Sequence, residues 1–158
     1  MRTARVIIAS TRAAAGIYAD RTGPVIVDWL GERGFDVPAP IVVADGDDVE
    51  TALRRAVAER VSVIITSGGT GISPTDRTAD ITAAVVDHQI PGLADAIRRS
   101  GLPAVPTSVL SRGVCGVSGS TLIVNLPGSS GGVKDGLGVL ADVLEHALDQ
   151  LAGGDHGR

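Results

Sequence analysis

Short apolar runs alternate along this chain with longer stretches in which apolar residues recur at helical spacing. Arg5 to Ser10 (RVIIAS) is apolar at consecutive positions, the pattern of a buried strand. Pro24 to Arg33 predicts a helix, with Thr22 as its cap and Gly34 as its stop. Val37 to Val43 predicts a second strand. Pro38 and Pro40 lie near its start and place it near a sheet edge, because proline has no N–H for the ladder. Asp47 to Arg60 predicts a helix with Asp47 and Asp48 at its positive end and Val49, Leu53, Ala56 and Val57 along one face. Val61 to Thr66 (VSVIIT) is the strongest strand signal, apolar almost throughout, as in a parallel sheet covered on both faces.

The second half continues the alternation. A loop follows Gly71, then a helix from Ala79 to Asp87, and Gly92 opens a short helix to Ser100. Leu102 to Ser108 carries two prolines and reads as a connection. Val114 to Val117 and Thr121 to Asn125 predict two strands joined by a tight Ser118-Gly119-Ser120 turn. Val133 to Leu151 predicts one long final helix with Val133, Leu137, Leu140, Leu144, Leu148 and Leu151 on its apolar side. The order strand, helix, strand, helix, strand is the α/β pattern. The late hairpin adds one antiparallel strand to an otherwise parallel sheet. The chain reads as a single domain over 1–153 with a frayed tail at 154–158, and no internal repeat is evident.

Composition narrows the function classes. The 158 residues match one domain. Aromatic residues are 2% of the chain, so the core must be built from Val, Ile, Leu and Ala, and base-stacking platforms are not expected. The formal net charge is −4, without the basic footprint of a nucleic-acid binder. The single cysteine, Cys115, cannot form an internal disulfide and sits in an expected strand, buried and inert. The first apolar run, Val6 to Ala9, is too short for a signal or membrane segment, so a cytoplasmic protein with no membrane partner is expected. His88, His146 and His156 lack metal-ligand spacing. There is no Gly-x-Ser-x-Gly elbow for a serine hydrolase.

The 21 glycines are clustered, and the clusters carry the candidate chemistry. Ser67-Gly68-Gly69-Thr70-Gly71 directly follows the best strand, where α/β sheets bind ligands. Consecutive N–H groups there can form an anion nest, although the same residues also make a plain turn. Asp76 follows five residues after Gly71. A carboxylate beside a phosphate nest calls for a bridging cation, a task suited to Mg2+; alternatively Asp76 caps the next helix. Asp45 ends the second strand and can face the same crevice, with Asp47 or Asp48 as the helix cap beside it. Asp20 is a further carboxylate near a strand end. The second cluster, Asn125-Leu-Pro127-Gly128-Ser129-Ser-Gly-Gly132, precedes the last helix and suits an anion at its N-terminus. Ser111-Arg112 precedes the hairpin, where Arg112 is either a bidentate phosphate fork or a surface arginine. Lys134, the only lysine, reads as either an anion contact or a solvated surface charge.

Four motifs in order resemble the Mog/MoaB molybdopterin-binding family, which includes the molybdopterin adenylyltransferases. They are Ser10-x-Arg12-x-x-x-Gly16-x-Tyr18-x-Asp20-Arg-x-Gly-Pro24; Thr66-x-Gly68-Gly-Thr-Gly-x-x-Pro-x-Asp76-x-Thr78; Pro91-Gly92 with Leu110-Ser-Arg112; and Thr121-Leu-Ile-Val-Asn-Leu-Pro-Gly-Ser129. The resemblance covers Val6 to Gly153. It implies a three-layer α/β/α sandwich with a mostly parallel sheet, and a homotrimer. It implies Mg-ATP-dependent adenylylation of molybdopterin in molybdenum cofactor biosynthesis, with ATP and molybdopterin as substrates and Mg2+ as cofactor. The product would pass to a molybdate-insertion protein. By the same resemblance Asp45 and Asp76 are the catalytic, metal-binding pair. Ser67, Gly68, Gly69, Thr70, Gly71, Ser111, Arg112, Asn125, Pro127, Gly128 and Ser129 are the expected substrate- and nucleotide-binding residues. Two positions depart from the family pattern. Ala44 stands before Asp45 in place of proline, and Ser130 replaces the proline of Leu-Pro-Gly-x-Pro, which is expected to loosen that loop. The alternative function is a non-catalytic molybdopterin-binding module or carrier.

Overall fold

The computed structural model describes residues 1–153, so the expected frayed tail at 154–158, with His156, lies outside the described residues. The elements are β1 (Ala4–Ala9), α1 (Thr11–Ala14), α2 (Thr22–Glu32), β2 (Ile41–Val43), α3 (Asp47–Ala58), β3 (Val63–Ser67), α4 (Thr78–Val85), β4 (His88–Gln89) and α5 (Pro91–Arg99). A 3-10 turn (Pro106–Leu110) follows, then β5 (Cys115–Ser118), β6 (Thr121–Leu126), α6 (Ser130–Ala141) and α7 (Leu144–Leu151).

The six strands form one sheet in the order β2-β1-β3-β6-β5-β4. β2, β1, β3 and β6 run parallel, in a register that pairs Ile7 with Ile41, Ile8 with Ser67, and Ser67 with Leu126. β5 runs against β6, and the two-residue β4 runs against β5. The single reversed strand expected from the hairpin is therefore β5.

Strand side chains alternate between two cores, as the two-residue period dictates. Val6, Ile8, Val63, Ile65, Leu122 and Val124 face one side, against Ile26 and Leu30 of α2, Ile97 of α5, Leu137 of α6, and Leu144 and Leu148 of α7. Ile7, Ala9, Ile64 and Ile123 face the other, against Val49, Leu53 and Ala56 of α3 and Ile81 and Val85 of α4. This is the three-layer sandwich, and it explains why the central strands are apolar at successive positions rather than at alternate ones.

Several local expectations change. The final helix is two helices: α6 ends at Ala141, and α7 begins at Leu144 after Asp142 and Val143. The break escapes periodicity because Leu140 and Leu144 keep helical spacing across it and both reach the same core. Thr22 does not cap α2. It lies inside the helix, and Asp20 Oδ1 accepts the N–H groups of Thr22 at 3.2 Å and Gly23 at 3.0 Å. Neither Asp47 nor Asp48 caps α3. Gly46 holds the cap position at φ +120°, and the two carboxylates lie in the first turn. The second strand keeps only Ile41–Val43, after the two prolines, and it is the edge strand. α1 was not anticipated; Ser10 caps it by accepting the Ala13 N–H at 3.2 Å.

Candidate active site

The parallel strands end along one edge of the sheet, at Ala9, Val43, Ser67 and Leu126. From β1 the chain crosses outward to β2, whereas β3 lies on the opposite side of β1, so the chain reverses direction between β1 and β3. Ligand crevices form at such reversals, beyond the carboxyl ends of the strands. The glycine loop begins there.

Its glycines are demanded by space and by backbone angle. Gly68 and Gly69 have φ of +95° and +69°. A Cβ on Gly68 would run into the Ala9 carbonyl, and one on Gly69 would overlap the Thr78 hydroxyl. The Gly68 N–H donates to Leu126 O at 3.1 Å, which ties the loop to the end of β6. The Thr78 N–H donates to Gly69 O at 3.1 Å, which brings the start of α4 beneath it.

Two carboxylates flank this loop. A Cβ on Gly69 would lie 2.5 Å from Asp45 Oδ2, and one on Gly71 would lie 2.6 Å from Asp76 Oδ2. Asp45 accepts the Thr78 hydroxyl at 2.9 Å on Oδ1 and the Arg77 N–H at 3.0 Å on Oδ2. It thus braces the start of α4, while no side chain caps that helix and Asp76 does not take the capping role the sequence suggested for it. Asp76 Oδ2 instead accepts the Ser73 N–H at 3.0 Å inside its own loop. Each carboxylate oxygen has capacity for a further partner. Each carboxylate has the oxygen chemistry that Mg2+ takes, one or two carboxylates alongside phosphate oxygens. No group of three or more His, Cys, Asp or Glu suited to a metal occurs among the described residues.

Two clefts open at the same edge. The first, about 480 Å³, is lined by Ser10, Tyr18, Asp20, Arg21, Ser67, Gly68, Gly128 and Ser129, among others. The second, about 510 Å³, is lined by Thr70, Gly71, Arg98, Ser111, Pro127, Gly132 and Asp135, among others. Ser129 lines both, and its hydroxyl caps α6 by accepting the Gly132 N–H at 3.1 Å. Ser130 takes the first helical position, where proline is favoured. In this sequence the Ser129 cap, one residue before Ser130, supplies a hydrogen bond at the helix start. Asp45 and Asp76 line neither cleft.

The remaining expected residues divide into lining and support. Ser67, Gly68, Thr70, Gly71, Ser111, Pro127, Gly128 and Ser129 line the clefts. Ser67 also donates to Pro127 O at 2.8 Å and so joins the two glycine loops. Asn125 is 3% exposed and fully occupied: its Nδ2 donates to the Thr66 and Thr82 hydroxyls, and its Oδ1 accepts the Val114 N–H. It is a buried strut. The Arg112 fork is turned to Asp80 and to loop carbonyls. That hydrogen bond holds the Asp80 carboxyl below its ordinary range and raises the Arg112 guanidinium further. Lys134 is exposed. Cys115 is buried, and desolvation pushes its thiol up to about 12, so it stays a protonated, unreactive side chain.

Sequence reasoning left out Arg21, Arg98, and the role of Ser10 and Tyr18 as a pair. Ser10 Oγ and Tyr18 OH lie 3.1 Å apart at the mouth of the first cleft. Their signal was present in the Ser10-to-Asp20 motif. Arg98 carries no such signal. It is a helical arginine whose Nη1 donates to Ser111 O at 3.3 Å and Gly113 O at 2.9 Å.

The family model described as "Probable molybdopterin binding domain" matches residues 5–146. A molybdenum cofactor biosynthesis bifunctional protein of Synechococcus elongatus is 36% identical over 155 residues, 98% of this chain and 49% of that protein. The chain thus spans about half the length of the bifunctional curated relatives it matches. The molybdopterin adenylyltransferase of Escherichia coli (strain K12) is 34% identical over 143 residues, 87% of this chain and 73% of that protein. Among solved structures, the molybdopterin biosynthesis Mog protein from Mycobacterium ulcerans is 67% identical with a TM-score of 0.93, covering 96% of this chain and 99% of that one.

Proposed function

Because the chain belongs to the molybdopterin-binding domain family, we propose that it transfers AMP from ATP to the terminal phosphate of molybdopterin in molybdenum cofactor biosynthesis. The observation that carries this reading is the placement of Asp45 and Asp76 against Gly69 and Gly71, in a loop that borders two clefts. Two adjacent clefts suit two reactants, and two carboxylates suit a reaction between two polyanions.

A phosphate oxygen of molybdopterin forms a bond to the α-phosphorus of ATP. The bond from that phosphorus to the bridging β-oxygen breaks, and pyrophosphate leaves with the electron pair. A phosphate monoester has its second pKa near ~6, so the attacking oxygen is ionised at neutral pH and needs no side-chain base. The protein's work is positioning and charge stabilisation. The N–H groups of Gly69, Thr70 and Gly71 and the N-terminus of α6 supply fixed dipoles at the clefts. Ser67, Gly68, Ser111, Pro127, Gly128 and Ser129 shape the walls. Asp45 and Asp76 would hold Mg2+, which when bound neutralises the phosphate charges. Residues 1–153 act as one domain. The protein works as a cytoplasmic homotrimer that hands its product to a molybdate-insertion protein.

A carrier that binds molybdopterin without turnover is the second reading. It is favoured by the bracing role of Asp45, whose two oxygens already accept hydrogen bonds from Arg77 and Thr78 at the start of α4. An adenylyl-transfer assay separates the two. Pyrophosphate should appear only when protein, molybdopterin, ATP and Mg2+ are all present. Tight molybdopterin binding with no pyrophosphate leaves the carrier. The Asp76→Asn variant is expected to bind molybdopterin and lose transfer; wild-type turnover in that variant at saturating ATP and Mg2+ would remove Asp76 from the mechanism.

A further inference from the structure

Arg112 lies far along the chain from the glycine loop, yet its hydrogen bonds run to both ends of the segment that bears Asp76. Its main-chain N–H donates to Thr70 O at 2.7 Å. Its Nε donates to Gly71 O at 3.0 Å, and Nη2 donates to Asp76 O at 2.9 Å. Asp80, in the first turn of α4, accepts Nη1 at 2.9 Å on Oδ1 and Nη2 at 3.3 Å on Oδ2. These bonds occupy four of the five N–H donors that a guanidinium carries. Between the two anchored ends the loop closes on itself. The Asp76 N–H donates to Ser73 O at 2.9 Å, and the Ser73 N–H returns to Asp76 Oδ2 at 3.0 Å.

In this geometry the fork is already occupied. A fork that receives a phosphate presents two parallel N–H groups to it. Here the fork faces a carboxylate of its own chain, and its remaining bonds go to main-chain carbonyls. The carboxylate orients the guanidinium; the guanidinium fixes Gly71 and Asp76. Gly71 is also where the Asp76 carboxylate packs, with Oδ2 placed 2.6 Å from the position of an added Cβ. An error of about 1 Å in a reacting group can cost on the order of 100-fold in rate, so a latch on this loop has catalytic leverage.

We propose that Asp80 and Arg112 form a latch that sets the Asp76 carboxylate, and that both are positioning residues for adenylyl transfer rather than ligands of the transferred phosphate. The kinetic part rests on the adenylyl-transfer reading; the structural part does not.

The test uses the full chain and the variants Asp80→Asn, Arg112→Lys and Asp80→Glu. Hydrogen–deuterium exchange of residues 70–77 is followed without ligand, and ATP kinetics are followed with molybdopterin and Mg2+. Asp80→Asn and Arg112→Lys should each speed exchange of this segment about tenfold or more, with β3 and β6 unchanged. They should lower kcat by roughly 10- to 100-fold while KM for ATP stays within about threefold, the signature of lost positioning. Asp80→Glu, which keeps the carboxylate, should restore most of kcat. Arg112→Lys is informative because an ammonium cannot reproduce the planar fork.

Unchanged exchange at 70–77 in Asp80→Asn overturns the latch. So does an Asp80→Asn kcat within about twofold of wild type, or a raised KM at unchanged kcat in Arg112→Lys, the mark of a ground-state phosphate contact. A wild-type protein that releases no pyrophosphate overturns the adenylyl-transfer reading instead, and the exchange result then decides the latch alone.

Discussion

At Gly68 the backbone takes φ +95°, and the Ala9 carbonyl holds the space that a Cβ would fill. Both facts penalise any L side chain, one through conformation and one through overlap with main-chain atoms that are paired within the sheet. Gly68→Ala is expected to cost about 2 kcal/mol. For a chain of this size that corresponds to a fall of about 4–8 °C in Tm by circular dichroism. Gly138 is the control. It lies in α6 with nothing within 4 Å of an added Cβ, so alanine there should be neutral or stabilising by up to ~1 kcal/mol. Equal Tm changes in the two variants would refute the spatial argument. Asp45 and Asp76 make the same point for function. Both residue types and both neighbourhoods were readable from the glycine motif and the strand ends. Their division of labour was not: Asp45 supports α4 while Asp76 closes its own loop.

At the scale of elements, helix starts were less legible than helix bodies. The apolar faces of α2, α3 and α5 follow a 3.6-residue rhythm that any window of sequence reveals. Caps depend on which side chain bends back to a free N–H, and that is a matter of loop path. Asp20 reaches Thr22 and Gly23 because the α1–α2 connection turns it inward. Ser129 caps α6 between the two clefts. Ser129→Ala should cost about 1 kcal/mol and lower Tm by about 2–4 °C. It should also speed amide exchange in the first turn of α6. A variant that matches wild type in both measurements would show that the helix start is held by other contacts. The division of the last helix into α6 and α7 had no local signature, because the leucine spacing runs unbroken across Asp142 and Val143.

For the whole molecule, the decisive feature is that the sheet is covered on both sides. Ile64 and Ile65 are neighbours on the central strand β3 and enter different cores. Both are fully buried. Truncating either to alanine should cost about 2–5 kcal/mol by chemical denaturation, because each removes buried methylenes and leaves a cavity. A one-sided sheet would spare one of the two. An Ile64→Ala or Ile65→Ala variant with unchanged stability would contradict the three-layer packing. The same arrangement places the carboxyl ends of four parallel strands on one edge, and this gathers the glycine loop, the Pro127–Ser129 loop and both carboxylates into one region.

Local order in the chain was sufficient for the strands, for the helix faces, for the α/β class and for the two glycine loops. Each of these depends on residues a few positions apart, where backbone period and glycine stereochemistry act directly. The partners of the polar groups required the folded chain. Arg112 meets Asp80 across 32 positions, Asp45 meets Thr78 across 33, and Asn125 meets Thr66 across 59. Each pairing follows from the strand order β2-β1-β3-β6, which brings distant loops to one edge of the sheet. A guanidinium read in sequence is equally suited to a phosphate or to a carboxylate. The packing of α4 against the sheet puts the carboxylate within reach, and at that separation the charge-assisted bonds form within the chain.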